Sequence, residues 1–362
     1  MAVEIKERGH VRLPAFLERG FSDLRREVVA RRRCSMCGTC AAFCDKIEIE
    51  DGEPRFIEDY DTVCGLCYTV CPRTFLPRAE IEQKIFGKVS NDDDVLGVYR
   101  ACYEARTKKA DIGERCQDGG VVTSILAYAL ETEAIDCAVL TTANGDWRPR
   151  TEVARDYEAL KEGAGTKYTL YPSVRGVREA QEEGCSAIAF VGLPCQIQGL
   201  RKAETANANQ PYELRIDGVK LLIGLFCTKN YNEELLDFVN EQVPLERVKK
   251  FDIKGKELLV YDNDGGVVSF SLNDLEVFVG DGCSVCTDFT AELADISVGS
   301  VGSAEGWSTV ITRTERGDEL VRGASESGYI EVKDIKAKGL ELIKRQAVKK
   351  RKRVEETELS EL

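Results

Sequence analysis

Histidine is all but missing from this chain of 362 residues: the one copy, His10, lies in a polar lead-in. That excludes imidazole acid–base catalysis as the organising chemistry. No G-x-x-x-x-G-K-[ST] and no strand-borne G-x-G-x-x-G occurs, so neither a nucleotide triphosphatase nor a dinucleotide Rossmann site is supported. Long apolar runs are lacking too. The longest, AIAFVGLP and VKLLIGLFC, fall far short of the roughly 20 residues that span a bilayer. They read as buried strands, and any work at a membrane would go through a partner rather than by direct insertion. A basic excess is also absent: the net charge of −13 argues against nucleic acid as a ligand. MAVEIKERGH carries no apolar leader core, so the expectation is a cytoplasmic chain with reduced thiols, peripheral at most on the cytoplasmic face of a membrane complex.

Cysteine, by contrast, is abundant, with fifteen copies. The run Cys34-x-x-Cys37-x-x-Cys40-x-x-x-Cys44 is followed, after a spacer, by Asp61-x-x-Cys64-x-x-Cys67-x-x-x-Cys71-Pro72. Three close cysteines hold three corners of an iron–sulfur cube, and the remote fourth of each run ligates the other cube. Zinc sites favour two separated Cys pairs, and disulfide frameworks belong to short secreted chains, so neither explains the doubled pattern. Asp61 stands where the second run should have its leading cysteine. It is either a hard oxygen ligand that holds iron less firmly than thiolate or a residue that caps the following turn. The chain is built to move single electrons.

Residues 1–32 are expected to form a lead-in helix packed on a two-cluster ferredoxin-like α+β module at 33–80. The module's spacer, IEIEDGEPRFIED, alternates apolar and polar residues around Asp51-Gly52, a hairpin signal. A charged linker containing Asn91 to Asp94 leads to a core at 95–330, where helical runs (VVTSILAYAL, QIQGLRKAE) alternate with strands (CAVLTTA, AIAFVGLPC, VKLLIGLFC). That alternation predicts an α/β core with a mixed, largely parallel sheet. FDIKGKELLVYDNDGGVVSFSL predicts an antiparallel subdomain. In the charged tail, 331–362, Leu340, Ile343 and Ala347 recur at helical spacing beside Lys344, Arg345 and Lys349 to Arg353. This is a helix with either a solvated basic face or a docking role.

Cys195 and Cys227 stand at or just past the ends of apolar strands, the edge where α/β sheets bind ligands. Cys283 and Cys286 form a Gly-flanked Cys-x-x-Cys. Together they suffice for a third cluster or a zinc site, while each strand-end thiol also reads as a small buried hydrophobe. Cys102, Cys116, Cys137 and Cys185 have no spacing partner and read as core. Gly119-Gly120, opening a helix, and SVGSVGSAEGW (297–307) could offer backbone N–H groups to a phosphate or flavin edge. No cubane accepts a hydride, so a chain that oxidises a hydride donor needs a flavin to divide the electron pair.

The stretches QDGGVVTSILAYAL (117–130), GTKY (165–168), VGLPCQIQGLR (191–201), IGLFCTKN (223–230) and GCSVCTDFTAELADISVGSVGSAEGWSTVITRTERG (282–317) resemble, as an ordered set, the beta-subunit family of coenzyme F420-reducing hydrogenases and dehydrogenases. CGLCYTVCPRTF (64–75) resembles the ferredoxin module of the F-subunit branch, that of reduced-coenzyme-F420 dehydrogenase. The pattern departs at Asp45, where proline is usual, and at Asp61. The resemblance implies FAD, three [4Fe-4S] clusters and coenzyme F420 as substrate. It implies a core cluster on Cys195, Cys227, Cys283 and Cys286. Flavin contacts would fall at Gly119, Gly120, Thr123, Lys167, Tyr168, Ser300, Gly302 and Trp307. The implied activity is hydride oxidation of reduced coenzyme F420 with single electrons passed to a membrane-bound respiratory complex or to ferredoxin. Alternatives are a beta subunit of a hydrogenase, formate dehydrogenase or heterodisulfide reductase, and a standalone ferredoxin-dependent flavin reductase of a small organic substrate. The coenzyme is anionic while the chain is acidic, so a local basic approach is needed; Lys167, Lys229 and Arg313 are its candidates. No side chain is assigned a catalytic step.

Overall fold

The computed structural model describes residues 19–57, 64–209 and 214–360. His10 and Asp61 lie outside the described residues. The lead-in runs through a short helix, Phe21–Leu24, into a π turn, Arg25–Val29. Leu24 and Val28 bury their side chains with Ala41, Ile47, Cys67 and Cys71, so this segment packs on the cysteine module. Within the module, strands β1 (Ile47–Glu50) and β2 (Glu53–Phe56) pair as a hairpin. Asp51 and Gly52 between them both have positive φ, the two-residue turn whose twist matches that of paired strands. Helices Thr39–Ala42 and Leu66–Val70 each open on a left-handed glycine, Gly38 and Gly65.

The core is one eight-stranded sheet. Its strands are β3 (Ala101–Thr107), β4 (Cys137–Ala143), β5 (Pro149–Ala154), β6 (Ile188–Gly192), β7 (Val219–Leu225), β11 (Ile296–Gly299), β12 (Ser308–Thr312) and β13 (Ile330–Asp334), in the order β13-β3-β12-β11-β7-β6-β4-β5. The central strands are apolar along nearly their whole length because both faces are covered. Cys137, Val139, Ile188, Phe190 and Leu222 face helices Arg175–Glu182 and Pro194–Asn209, and Ala42, Leu66 and Val70 of the module join the same cluster. Their neighbours Ala138, Leu140, Ala189, Leu221 and Ile223 face helices Val121–Glu131 and Glu315–Glu326. The strand period of two thus sorts one sequence into two cores, and the cysteine module extends the first of them.

The sheet is more antiparallel than the alternation suggested. Only β4/β6, β6/β7 and β7/β11 run parallel; β4/β5, β11/β12, β3/β12 and β3/β13 are antiparallel. The short connections 144–148 and 300–307 reverse the chain without a crossover helix, which a parallel pair would require. A separate antiparallel sheet of β8 (Val248–Lys254), β9 (Glu257–Asp262) and β10 (Val267–Ser271) packs over Tyr231, Leu235 and Val239. The tail forms the helix Ala337–Ser360. One face packs inward, with Ile343, Ala347, Lys350 and Val354 buried against the molecule itself, while Lys344, Arg345, Lys349 and Lys352 stay exposed. Among the described residues no helix is long and apolar enough to cross a membrane.

Candidate metal centres and cofactor cleft

The module thiols sort into two groups. Cys40 has Cys37, Cys71, Cys34 and Cys67 as electrostatic neighbours, and burial first, then those neighbours, push its thiol well above the usual range. Cys67 is pushed up to about 12, chiefly by burial, with Cys44 and Cys64 next to it. The chain therefore gathers Cys34, Cys37, Cys40 and Cys71 at one centre and Cys44, Cys64 and Cys67 at the other, each run lending its last cysteine across. All fifteen cysteines are free thiols.

In the core, Cys195 opens the helix after β6, Cys227 follows β7, and Cys283 and Cys286 sit in the loop between β10 and β11. These four converge. Cys227 is pushed up to about 12 by burial, with Cys283 and Cys286 as thiol neighbours; Cys195 has Cys37, Cys286 and Cys227 around it. Cys286 behaves differently: burial raises it, but Lys350 and Arg73 outweigh that and hold it below the ordinary thiol value. Lys350, 3% exposed, donates to the carbonyls of Cys227 at 2.6 Å and Asp288 at 2.7 Å.

The thiol spacing discriminates between metals. A tetrahedral zinc with Zn–S of about 2.3 Å needs sulfurs about 3.8 Å apart. Among the described residues only Asp136, Cys137 and Cys185 bring three ligand atoms within 4.8 Å of one another. There Asp136 Oδ2 already accepts from Ser186 N, Ser186 Oγ and Ala187 N, and Cys137 and Cys185 hydrogen-bond each other, so that trio is a loop clasp. The quartets are wider than a single ion needs, and a metal that binds them displaces the thiol protons. Buried cations stand beside the core quartet. This donor set fits thiolate-bound iron–sulfur cubes.

The residues expected to contact a flavin fall into three loops. Gly119 is fixed by packing: an added Cβ would lie 2.6 Å from Ala105 O and from Ser308 N. Gly120, at φ 66°, precedes the helix Val121–Glu131, which carries no side-chain cap, so its first N–H groups are available to a phosphate. Thr123 is buried in that helix's first turn. Lys167 donates to the carbonyls of Gly163, Ala164 and Gly165 at 2.9, 3.0 and 3.2 Å, and burial lowers it to about 8. Tyr168 is pushed up by burial, with Asp252 and Asp118 nearby. Ser300, Gly302 and Trp307 belong to the turn between β11 and β12. Gly302 lies against the C-terminal helix, where a Cβ would come within 2.7 Å of Ile343 Cγ1. The Trp307 ring has the Arg106 guanidinium 4.7 Å and the Lys333 ammonium 3.5 Å from its centroid. Gly119 N donates to Ser308 Oγ at 3.1 Å, and Gln117 Nε2 to Asp252 Oδ1 at 2.9 Å. The glycine turn is thus hydrogen-bonded to the start of β12 and to β8; the uncapped helix start beside it fits a phosphate group.

All three basic candidates have other partners: Lys167 donates to the carbonyls of Gly163, Ala164 and Gly165. Arg313, 1% exposed, donates to Ser297 Oγ, Leu96 O, Val98 O and Thr290 Oγ1; it closes the backbone of the 96–98 loop from inside and cannot meet a coenzyme. Lys229 pairs with Glu276. Conversely, the cations that do reach a candidate centre, Arg73 and Lys350, escape motif reading. Lys350 had one visible signal, its place on the apolar stripe of Ile343, Ala347 and Val354. Lys202, 4% exposed, holds Cys71 O, Thr74 Oγ1 and Phe75 O at 2.6, 2.6 and 2.8 Å.

A mixed α/β core bearing a gathered cysteine quartet, with a second cysteine module fused against it, defines the class: a cysteine-rich α/β protein equipped for metal clusters. Two family models match, both described as the beta subunit of coenzyme F420 hydrogenase/dehydrogenase: its N-terminal part over residues 102–177 and its C-terminal part over residues 185–338. The chain belongs to the coenzyme F420 hydrogenase/dehydrogenase beta-subunit family. It is 39% identical to the beta subunit of the coenzyme F420 hydrogenase of Methanothermobacter thermautotrophicus over 72% of this chain and 94% of the relative. It is 32% identical to the F subunit of the F(420)H(2) dehydrogenase of Methanosarcina mazei over 90% of this chain and 91% of the relative. With the coenzyme F420-dependent sulfite reductase of Methanocaldococcus jannaschii it shares 37% identity over 85% of this chain, which spans 48% of that protein. A chain of the F420-reducing [NiFe] hydrogenase complex from Methanosarcina barkeri superposes with a TM-score of 0.70 at 33% identity, covering 74% of this chain and 94% of that one.

Proposed function

We propose that this chain oxidises reduced coenzyme F420 and exports the electrons singly, as the input component of a larger electron-transfer assembly whose acceptor is a respiratory complex or ferredoxin. The observation that carries this reading is continuity: the core quartet adjoins the Cys34, Cys37, Cys40 and Cys71 group, since Gly282 N, next to Cys283, donates to Cys34 O at 3.0 Å and Cys37 lies within electrostatic reach of Cys195. Bound FAD would take a hydride from the reduced coenzyme and release electrons one at a time to [4Fe-4S] clusters. The protein's share is binding and placement. Gly119, Gly120 and Thr123 at the uncapped helix start would hold a flavin phosphate, with Lys167, Tyr168, Ser300, Gly302 and Trp307 as the other flavin contacts. Cys195, Cys227, Cys283 and Cys286 would hold the core cluster, and 33–80 would carry the other two, with Asp61 as fourth ligand beside Cys44, Cys64 and Cys67. The core at 95–330 is then the hydride domain and 33–80 the exit module.

The module favours the dehydrogenase-type assignment, because the F subunit of the F(420)H(2) dehydrogenase aligns over nearly all of both chains. A hydrogenase beta role is the second reading, supported by the higher identity to a hydrogenase relative. Anaerobic purification with iron and flavin analysis tests the proposal. About eleven to twelve irons and one flavin per chain are expected, with bleaching of the flavin by reduced coenzyme F420. Iron near four, or no bound flavin, would refute it.

A further inference from the structure

The side chain of Arg73 lies between two centres that the cysteine spacing leaves apart. Its backbone N–H meets Cys71 Sγ at 3.4 Å, and Cys34 and Cys71 both have its guanidinium among their charged neighbours. On the other side the guanidinium reaches the Cys286 thiol, with Cys195 and Cys283 close by. Its Nε is shut off from solvent and has no hydrogen-bond partner. An unpartnered buried donor of this kind is unfavourable unless something anionic accepts from it. The surrounding chain holds the segment firmly: Lys202 clamps the carbonyls of Cys71 and Phe75. Across the same joint, Gly282 N donates to Cys34 O at 3.0 Å, and an added Cβ at Gly282 would lie 2.7 Å from that carbonyl. The arginine is thus held where the two cysteine groups adjoin, and it keeps its charge at any working pH.

Resting on the functional reading above, we propose that Arg73 is the positioning residue for electron transfer between the core cluster and the cluster held by Cys34, Cys37, Cys40 and Cys71. A fixed positive charge between them stabilises the added electron on either cluster and so raises both reduction potentials relative to the distal centre of Cys44, Cys64 and Cys67. In each transfer one cluster loses an electron and its neighbour gains it. The guanidinium keeps its proton throughout, so the step moves no proton, and the summed charge of the two clusters and the arginine is the same before and after the transfer. A unit charge a few ångströms away in a protein interior changes the reduction equilibrium of each flanking cluster by about tenfold or more.

The test is a redox titration of the whole, iron-loaded chain, followed by electron paramagnetic resonance, in parent, Arg73→Gln, Arg73→Met and Arg73→Lys. The neutral variants are expected to make reduction of the two flanking clusters about tenfold less favourable, a drop of about 59 mV for one electron. The distal cluster should be unmoved, and Arg73→Lys should restore most of the shift. Unchanged potentials at full iron content would overturn the proposal, as would equal shifts at all three centres. If both neutral variants lose the flanking clusters, retention in Arg73→Lys supports the need for a charge, and loss there too refutes it. The parent's iron and flavin content tests the functional reading separately: a parent without three clusters sinks that reading, whereas an intact parent with indifferent variants sinks only the role of Arg73.

Discussion

At the scale of single residues, the candidate ligands announce themselves and their surroundings do not. Cys34 to Cys71 are legible because an iron–sulfur cube imposes a local spacing on one short stretch of chain. Cys195 and Cys227 were legible only as strand ends, and it took the fold to bring Cys283 and Cys286 to them. Arg73 and Lys350 were hidden for a different reason: their partners are remote in sequence, and a charged residue in a charged stretch carries no mark of burial. Lys167 shows what such burial does. Its amine sits among three carbonyls with no carboxylate, and burial lowers it from 10.5 to about 8. The folded chain then holds this proton less tightly than the unfolded chain. Below about 8 both states are protonated and the cost is fully present. Between about 8 and 10.5 the unfolded state binds more protons, so this group's contribution to stability rises with pH. The thermal midpoint of the parent should therefore gain on that of Lys167→Met across this window. Parallel pH courses for the two proteins would show that the amine titrates as an ordinary lysine.

At the scale of elements, short-range signals were sufficient where the element answers to its own sequence. The Asp51-Gly52 hairpin, the helix at Val121–Glu131 and strand β4 follow from local pattern. Strands β3, β5, β12 and β13 did not announce themselves, because an antiparallel wing is specified by which turn reverses the chain and not by an unbroken apolar run. In the C-terminal helix Lys344, Arg345 and Lys349 are exposed as their pattern suggests, but Lys350 packs inward with the apolar stripe. Glycines at the joint between module and core make a sharper test. Gly38 has φ 83° and an added Cβ would lie 2.5 Å from Pro172 O, whereas Gly52 has φ 78° and nothing within 4 Å. Left-handed backbone alone costs alanine about 1–2 kcal/mol. Both Gly38→Ala and Gly52→Ala should bear that cost, and Gly38→Ala should lower the thermal midpoint clearly further because the Pro172 carbonyl must also give way. Equal midpoints for the two variants would mean that the module does not bear on the core at this point.

At the scale of the whole molecule, hydride chemistry and electron export are assigned to different parts of the chain, so they should be separable. Cys37→Ala removes a proposed cluster ligand from the module while leaving the residues around Gly120 and Lys167 untouched. A single addition of reduced coenzyme F420 should still bleach the flavin, while steady transfer to an acceptor should fall at least tenfold. Loss of the bleaching itself in a folded, flavin-loaded variant would show that the two parts are not divided in this way. The parts are nonetheless tightly joined. Arg78 pairs with Glu82 at 2.7 Å and with Glu292 of the core, and Arg351 of the last helix reaches the same Glu292 at 3.2 Å.

That last helix bears on how the molecule comes to maturity. The core quartet draws one flanking cation from residue 73 and the other from residue 350, near opposite ends of the described chain. During synthesis the thiols of Cys195, Cys227, Cys283 and Cys286 all emerge before Lys350 does, and they lack its charge until the final helix folds back over them. The docking of that helix therefore brings the Lys350 charge to four thiols already in place, a late long-range contact in the folding of the core.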